Sequence, residues 1–299
     1  MVSGVNTRAG LIALAGRPNV GKSTLVNAIV GQKVAIVSDK PQTTRRAIRG
    51  VVTRQDVQLV LTDLPGVQKP LDSLTERMQR RVERELAETD VALMVLNAEQ
   101  GVGPGDRFIA NALRHATCPV VIAVNKVDRL DRPHVVLALE AAGELGIADE
   151  IFPISARKGT GVEALADHLF SLVPDSPFLF DREDHSDLSP YVHLAELVRE
   201  QILRRTFQEV PHAVEVVVEE VETDREDLTV VHARAWVETD SQKGILVGAQ
   251  GNMIRAIGTG ARKSLERELG TKVHLDLIVR VRRGWRGDEG LLDRLGFDN

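Results

Sequence analysis

Gly16-Arg17-Pro18-Asn19-Val20-Gly21-Lys22-Ser23 stands between the apolar run Leu11–Ala15 and the helical pattern Lys22–Val30. The octapeptide fits G-x-x-x-x-G-K-[ST] with a strand before it and a helix after it, the context a phosphate-cradling loop requires. Glycines let such a backbone curl until its N–H groups face phosphate oxygens, and the helix N-terminus adds positive potential. In this reading Lys22 neutralises the outer phosphates, the Ser23 hydroxyl ligates Mg²⁺, and Thr24 follows among the nucleotide contacts.

Outward from that loop, short apolar runs alternate with helical patterns. The runs are Leu11–Ala15, Ala47–Thr53, Gln58–Leu61, Val91–Leu96, Val120–Val124 and Ile151–Ile154. Between them the spacing predicts helices over Lys22–Val30, Leu74–Glu88, Gly105–Arg114, Pro133–Leu145 and Val162–Leu172. The alternation predicts an α/β domain over 8–173 with a mixed, mostly parallel sheet covered by helices on both faces. Only a few polar residues separate Ala47–Thr53 from Val57–Leu61, which predicts an antiparallel hairpin at one edge.

Pro174-Asp175-Ser176-Pro177 and the acidic Asp181–Ser189 predict a linker over 174–189. Over 190–299 the order is a helix (Tyr191–Phe207), two strands (Val214–Val221, Thr229–Val237), a glycine-rich turn, helical segments (Asn252–Ile257, Ala261–Leu269) and a strand (Val273–Val281). That order suits a small α+β domain. A chain of 299 residues, 43% hydrophobic, is long enough for two such cores. The single cysteine, Cys118, excludes an internal disulfide framework and suits a reducing cytosol. The first residues, Met1 to Arg8, place no apolar run behind a basic start, so no leader peptide is expected there. No stretch has the roughly 18–20 apolar residues needed to span a bilayer.

Three further motifs choose the nucleotide. Asp63-Leu64-Pro65-Gly66 ends a parallel strand, where the carboxylate can hold the Mg²⁺ shell and the Gly66 N–H can meet a γ-phosphate. Asn125-Lys126-Val127-Asp128 ends another, and the Asp128 carboxylate can accept both the ring N–H and the exocyclic amine of guanine. A site built on such paired hydrogen bonds rejects a base that cannot make them by several orders of magnitude. Ser155-Ala156-Arg157 ends the last strand, with backbone N–H groups in reach of the guanine carbonyl. Four motifs at strand carboxyl ends, in order, predict one crevice holding GTP.

These residues resemble the nucleotide motifs of the translation-factor-like GTPases. Pro41-Gln42-Thr43-Thr44-Arg45 looks like the first switch loop of that group, in which a threonine reaches Mg²⁺ only in the GTP state. Thr44 is preferred to Thr43 for that role, since related GTPases place the ligand just before the arginine. Val67 follows Gly66 where Ras-like switches carry a water-orienting glutamine, and Gln68 lies one step on. Transition-state charge must then be met in another way. Asn19 resembles the asparagine that helps hold K⁺ beside the phosphates in potassium-activated relatives, and with Lys22, Thr44 and Gly66 it completes the catalytic set.

The carboxy-terminal part carries Gly248-Ala249-Gln250-Gly251, a G-x-x-G followed by apolar residues at helical spacing, with Ile254 and Arg255 among the expected RNA contacts. Two strands before it and a helix and strand after it match a type II KH arrangement, in which the loop clamps single-stranded RNA backbone. From Lys243 to Arg286 ten basic residues, Arg262 and Lys263 among them, face three acidic ones, a net +7 in a chain of formal charge −5. The strands ahead carry Glu215, Glu219, Glu220, Glu222, Asp224, Glu226 and Asp227. Such asymmetry is the footprint of a phosphate-tracking surface. Trp285 is open to two readings, a base-stacking platform or a ring packed against the last helix.

A P-loop GTPase joined to a KH module resembles the Era-like family of bacterial ribosome-assembly GTPases, from about Arg8 to Phe297. The resemblance implies hydrolysis of GTP to GDP, binding of the 3′ end of small-subunit rRNA, and action on the maturing small (30S) subunit. It also implies association of some fraction with the inner face of the membrane. An RNA chaperone with incidental turnover is the rival class; a GTPase coupled to RNA modification lacks any further cofactor motif.

Overall fold

The computed structural model of the chain describes residues 7–40, 42–66, 71–148, 150–225 and 227–297. Pro41, Val67, Gln68, Glu226 and the first six residues lie outside the described residues, as does the side chain of Asp224.

The first half is a six-stranded sheet with helices on both faces. In chain order it holds β1 (Arg8–Ala15), α1 (Lys22–Val30), β2 (Ile48–Arg54), β3 (Val57–Asp63), α2 (Ser73–Ala87), β4 (Val91–Asn97), α3 (Pro104–Leu113), β5 (Val120–Asn125), α4 (Arg132–Gly143), β6 (Glu150–Ile154) and α5 (Val162–Leu172). The strand order is β2-β3-β1-β4-β5-β6, with β2 antiparallel to β3 and the other pairs parallel. Every residue of β4 is buried, as a central parallel strand covered on both faces requires. Helices α1 and α5 share one apolar core with the sheet, and α3 and α4 share another on the opposite face. The parallel strands end at Ala15, Asp63, Asn97, Asn125 and Ile154, so the loops that follow them gather at one end of the sheet.

Residues 174–189 contain no helix or strand yet are fastened to the hairpin edge. Val51 N donates to His185 O (2.9 Å), and the buried Gln58 side chain accepts from Leu179 N and Phe180 N (2.9 and 3.0 Å).

The second half holds α6 (Pro190–Arg205), α7 (Val210–Ala213), β7 (Glu215–Arg225), β8 (Leu228–Val237), α8 (Asp240–Val247), α9 (Asn252–Leu269), β9 (Lys272–Val281) and α10 (Glu289–Arg294). Its sheet runs β7-β8-β9, antiparallel then parallel. Val231, Ala233, Ala235 and Val237 point inward at the two-residue period of a half-buried strand, under α6 and α9. The two helical segments expected after the glycine-rich turn are one helix, α9, running through Gly258 and Gly260. Glycine serves packing there: a Cβ on Gly260 would lie 2.6 Å from Gln201 Oε1, so its absence lets α6 come close.

The two halves meet across a buried seam. The segment between α1 and β2 lies on α6 and β7, and Ile36 from that segment is part of the second core. Arg45, 2% exposed, donates to Glu215 Oε2 and Val214 O (both 2.7 Å), His212 O (2.8 Å) and Pro211 O (3.0 Å). Arg46 reaches Glu196 (3.0 Å) and Glu215 (3.2 Å). Burial alone would push the Glu215 carboxyl up, but Arg46, Arg45 and Arg199 outweigh it and hold its pKa down at about 2. On the other side of the seam, Leu74 and Met78 of α2 pack with Leu291 and Leu292 of α10 around Trp285. Trp285 is fully buried and donates from Nε1 to Ala213 O (2.9 Å), so its ring packs and does not stack on a base.

Candidate functional site

Gly16–Ser23 connects β1 to α1, and Gly21 caps the helix at φ 105°. Only glycine serves there, because a Cβ would sit 2.3 Å from Asn125 Nδ2 in a backbone region unfavourable to other residues. Lys22 lies inside the curl, its Nζ donating to Gly16 O (3.0 Å) and Arg17 O (3.1 Å). Burial lowers its pKa to about 8 against the opposing pull of Asp63. A phosphate arriving in the loop would compete for this ammonium and favour its charged form. The Arg17 side chain turns away to Asp106 (2.8 Å).

Three oxygens from separate elements converge beside Lys22. Asp63 Oδ2, at the end of β3, accepts from Ser23 Oγ (2.6 Å) and Thr44 Oγ1 (2.9 Å), and the two hydroxyls are 3.0 Å apart. Asp63 Oδ1 is buried with no hydrogen-bond partner, and burial raises the pKa of the carboxyl. A hard divalent cation such as Mg²⁺ fits this all-oxygen donor set and would supply the missing partner. Thr43 faces elsewhere, its hydroxyl donating to Lys40 O (2.6 Å). Gly66 packs against the loop, where a Cβ would meet Pro18 atoms at 2.7–2.9 Å.

At the other end Asn125 ties three loops together. Its Nδ2 donates to Val20 O (2.9 Å), and its Oδ1 accepts from Lys126 N (2.8 Å) and Ala156 N (3.0 Å). Lys126 Nζ donates to Asn19 O (2.7 Å), a second link from this end to the glycine loop. Asp128 Oδ1 accepts from Ser155 Oγ (2.7 Å), and that bond is the main cause of its lowered pKa. The carboxylate is therefore ionised and oriented, ready to accept from a ligand.

One cavity of about 510 Å³ joins these ends, lined from Pro18 through Ser23 and Thr24 to Asp128 and Arg157. Of the expected nucleotide contacts, Gly16, Arg17, Val20, Asp63, Leu64 and Pro65 do not line it; Val20, Asp63 and Leu64 are fully buried behind it. The sequence reading missed Ser38, Asp39, Lys40 and Arg129, which do line it. Asn19 Nδ2 donates to Asp39 O (2.8 Å), closing that side, while Asn19 itself holds φ 63°. No local pattern marks the residues before Thr43, because a long-range fold places them.

The glycine loop of the second half lies between α8 and α9, with Ala249 and Gln250 exposed at its tip. Arg255 folds back to brace it, donating to Gly251 O (3.2 Å), Asn252 Oδ1 (3.1 Å) and Gln250 O. Arg262 and Lys263 are exposed on α9, Lys243 is half-buried on α8, and Ile254 packs against the core. Cations thus flank an exposed turn whose carbonyls are already held.

Comparisons with known proteins agree with this geometry. Residues 11–126 match the family described as 50S ribosome-binding GTPase, and residues 209–286 match the KH domain. The chain is 42% identical to GTPase Era of Lactobacillus helveticus over 291 residues, covering 97% of this chain and 96% of that protein. It is 45% identical to GTPase Era of Mycolicibacterium paratuberculosis over 296 residues, covering 97% and 99%. A crystal structure of Era in complex with MgGDPNP and nucleotides 1506–1542 of 16S ribosomal RNA superposes with TM-score 0.93 at 32% identity, covering 98% of this chain and 100% of that one.

Proposed function

The chain belongs to the Era family of GTPases, and we propose that it passes its nucleotide state from the crevice of the first sheet to an RNA held by the second. It hydrolyses GTP to GDP and phosphate, and it is a P-loop GTPase domain followed by a type II KH domain. We take 8–173 as the nucleotide module, 174–189 as the connector and 190–299 as the RNA module. The RNA is the 3′ end of small-subunit rRNA, by likeness to the Era complex with that segment. The setting is maturation of the 30S subunit. Any fraction at the inner membrane face would be peripheral, since no described helix is long and apolar enough to cross.

The observation that carries the switch reading is that Thr44 Oγ1, which meets Ser23 Oγ and Asp63 Oδ2, belongs to a segment that itself rests on the second module. Ser23, Thr44 and Asp63 would hold Mg²⁺, which would supply positive charge against that developing on the phosphates. Lys22 binds the outer phosphates, the Gly66 N–H orients the last one, and Asp128 selects guanine. Asn19, fixed by its bond to Asp39 O, would hold K⁺ beside the phosphates, in the role an arginine finger has elsewhere. Faster hydrolysis in K⁺ than in Na⁺ buffer, abolished by Asn19→Ala, tests that assignment.

The main test measures binding of a small-subunit rRNA 3′-end oligonucleotide with GDPNP, with GDP and without nucleotide. Tighter binding with GDPNP, lost on substituting Gly248 or Gly251, is expected. Affinity indifferent to both would defeat the reading.

A further inference from the structure

Thr44 sits between two residues that the second module grips. On one side, Arg199 of α6 donates from Nη2 to the Thr43 carbonyl. Arg199 is itself fully buried and fixed by Glu196, at 2.6 Å to Oε2 and 3.0 Å to Oε1. On the other side, the Arg45 guanidinium is spent on Glu215 and three carbonyls of residues 211–214. Upstream, the buried Glu200 carboxylate takes Lys33 Nζ (2.6 Å) and Val37 N (3.0 Å). The described residues between Gly31 and Ala47 form no helix or strand of their own, so these bonds to α6 and β7 set their path.

The peptide plane joining Thr43 to Thr44 is rigid, so holding the Thr43 oxygen fixes the plane that enters Thr44. Arg45 pins the chain on the far side. Little freedom remains for the Thr44 hydroxyl except to face Ser23 and Asp63. We infer that Arg199, held by Glu196, is a positioning residue for GTP hydrolysis: by gripping the Thr43 carbonyl it presets Thr44 for the metal, so that the RNA module completes the nucleotide site. This rests on the reading of Thr44 as the switch ligand.

The test is a double-mutant cycle of Arg199→Met with Thr44→Ala in the full chain, read by single-turnover GTP hydrolysis across a Mg²⁺ titration, with GDP affinity and urea unfolding measured alongside. Losing a charge-assisted bond should slow hydrolysis about 10- to 100-fold and raise the Mg²⁺ needed for half-maximal rate. GDP affinity should stay within about twofold, and Arg199→Lys should recover part of the rate. In the Thr44→Ala background, Arg199→Met should add no more than about a twofold loss. Additive losses, or a folded Arg199→Met protein with the parent's rate and Mg²⁺ dependence, overturn the inference. If Arg199→Met fails to fold, the same cycle with Arg199→Lys decides. If Thr44→Ala leaves both rate and Mg²⁺ dependence unchanged, the reading of Thr44 itself is wrong and the inference falls with it.

Discussion

Replacing Asn125 with alanine should separate the two ends of the nucleotide site. The carboxamide is 2% exposed and makes three hydrogen bonds, one to the phosphate loop at Val20 O and two from the amides of Lys126 and Ala156. Each is worth about 1 kcal/mol net, so the lost set amounts to about 3 kcal/mol, more where an abandoned group stays dry. If the three loops must be regathered each time a nucleotide binds, about 3 kcal/mol corresponds to a roughly 100-fold weaker complex. Fluorescent GDP titration of the folded Asn125→Ala protein measures this directly, with circular dichroism reporting the fold and urea unfolding the stability. The Gly21 contact gives an internal check: once the Asn125 side chain is gone, Gly21→Ala should cost less than it does in the parent, because the atom 2.3 Å from the new Cβ has been removed. GDP affinity within about threefold of the parent would show that the loops hold their places without the clip, and the reasoning would fail.

Lys22 should make nucleotide binding sensitive to alkali. Its pKa of about 8 in the open site is lowered by burial, so the free protein loses this proton above pH 8, whereas phosphate favours the charged form. GDP should bind about tenfold more weakly at pH 9 than at pH 7, with proton uptake visible by calorimetry in two buffers of different ionisation enthalpy; a flat profile would contradict the burial argument. Glu215→Gln leaves Arg45 and Arg46 short of a buried partner and should cost about 3–5 kcal/mol at neutral pH, measured by urea unfolding. Because the carboxyl of Glu215 is held down at about 2, its contribution is present above pH 4.5 and lost on acidification toward 2, so parent and variant should converge over that window. Trp285→Ala empties the cluster between α2 and α10 and should cost about 3–5 kcal/mol, read in the same way.

Much of the nucleotide site was legible because its parts are local. A strand, a glycine loop and a helix start can be read within a dozen residues, and four such patterns in order leave one arrangement of the sheet. What escaped the sequence depends on contacts far apart in the chain. The docking of residues 33–46 on α6 and β7 joins positions 150 or more residues apart, and no periodicity announces it. Helix α8 falls where the sequence reads as a glycine-rich turn, although Thr239 and Gln242 form a capping box that marks its start. Gly258 and Gly260 read as breaks in α9, but Ile257, Ala261, Ser264 and Leu265 keep one buried face through them, and at Gly260 close approach to α6 offsets the weaker propensity. For Trp285 the reading as a ring packed against the last helix holds, but its second cover, α2, lies far back in the chain and no local pattern announces it.

The bond from Arg199 to Thr43 spans 156 residues, and that distance has a meaning during synthesis. Chains emerge at roughly 5–20 residues per second, so the arginine follows its carbonyl by about 8–30 seconds. Until then the segment carrying Thr44 lacks the bonds that Arg199 and the Glu215 region give it in the finished chain. On the role inferred for Arg199, an unfinished chain would turn GTP over about 10- to 100-fold more slowly until the helix bearing that arginine has left the translating ribosome.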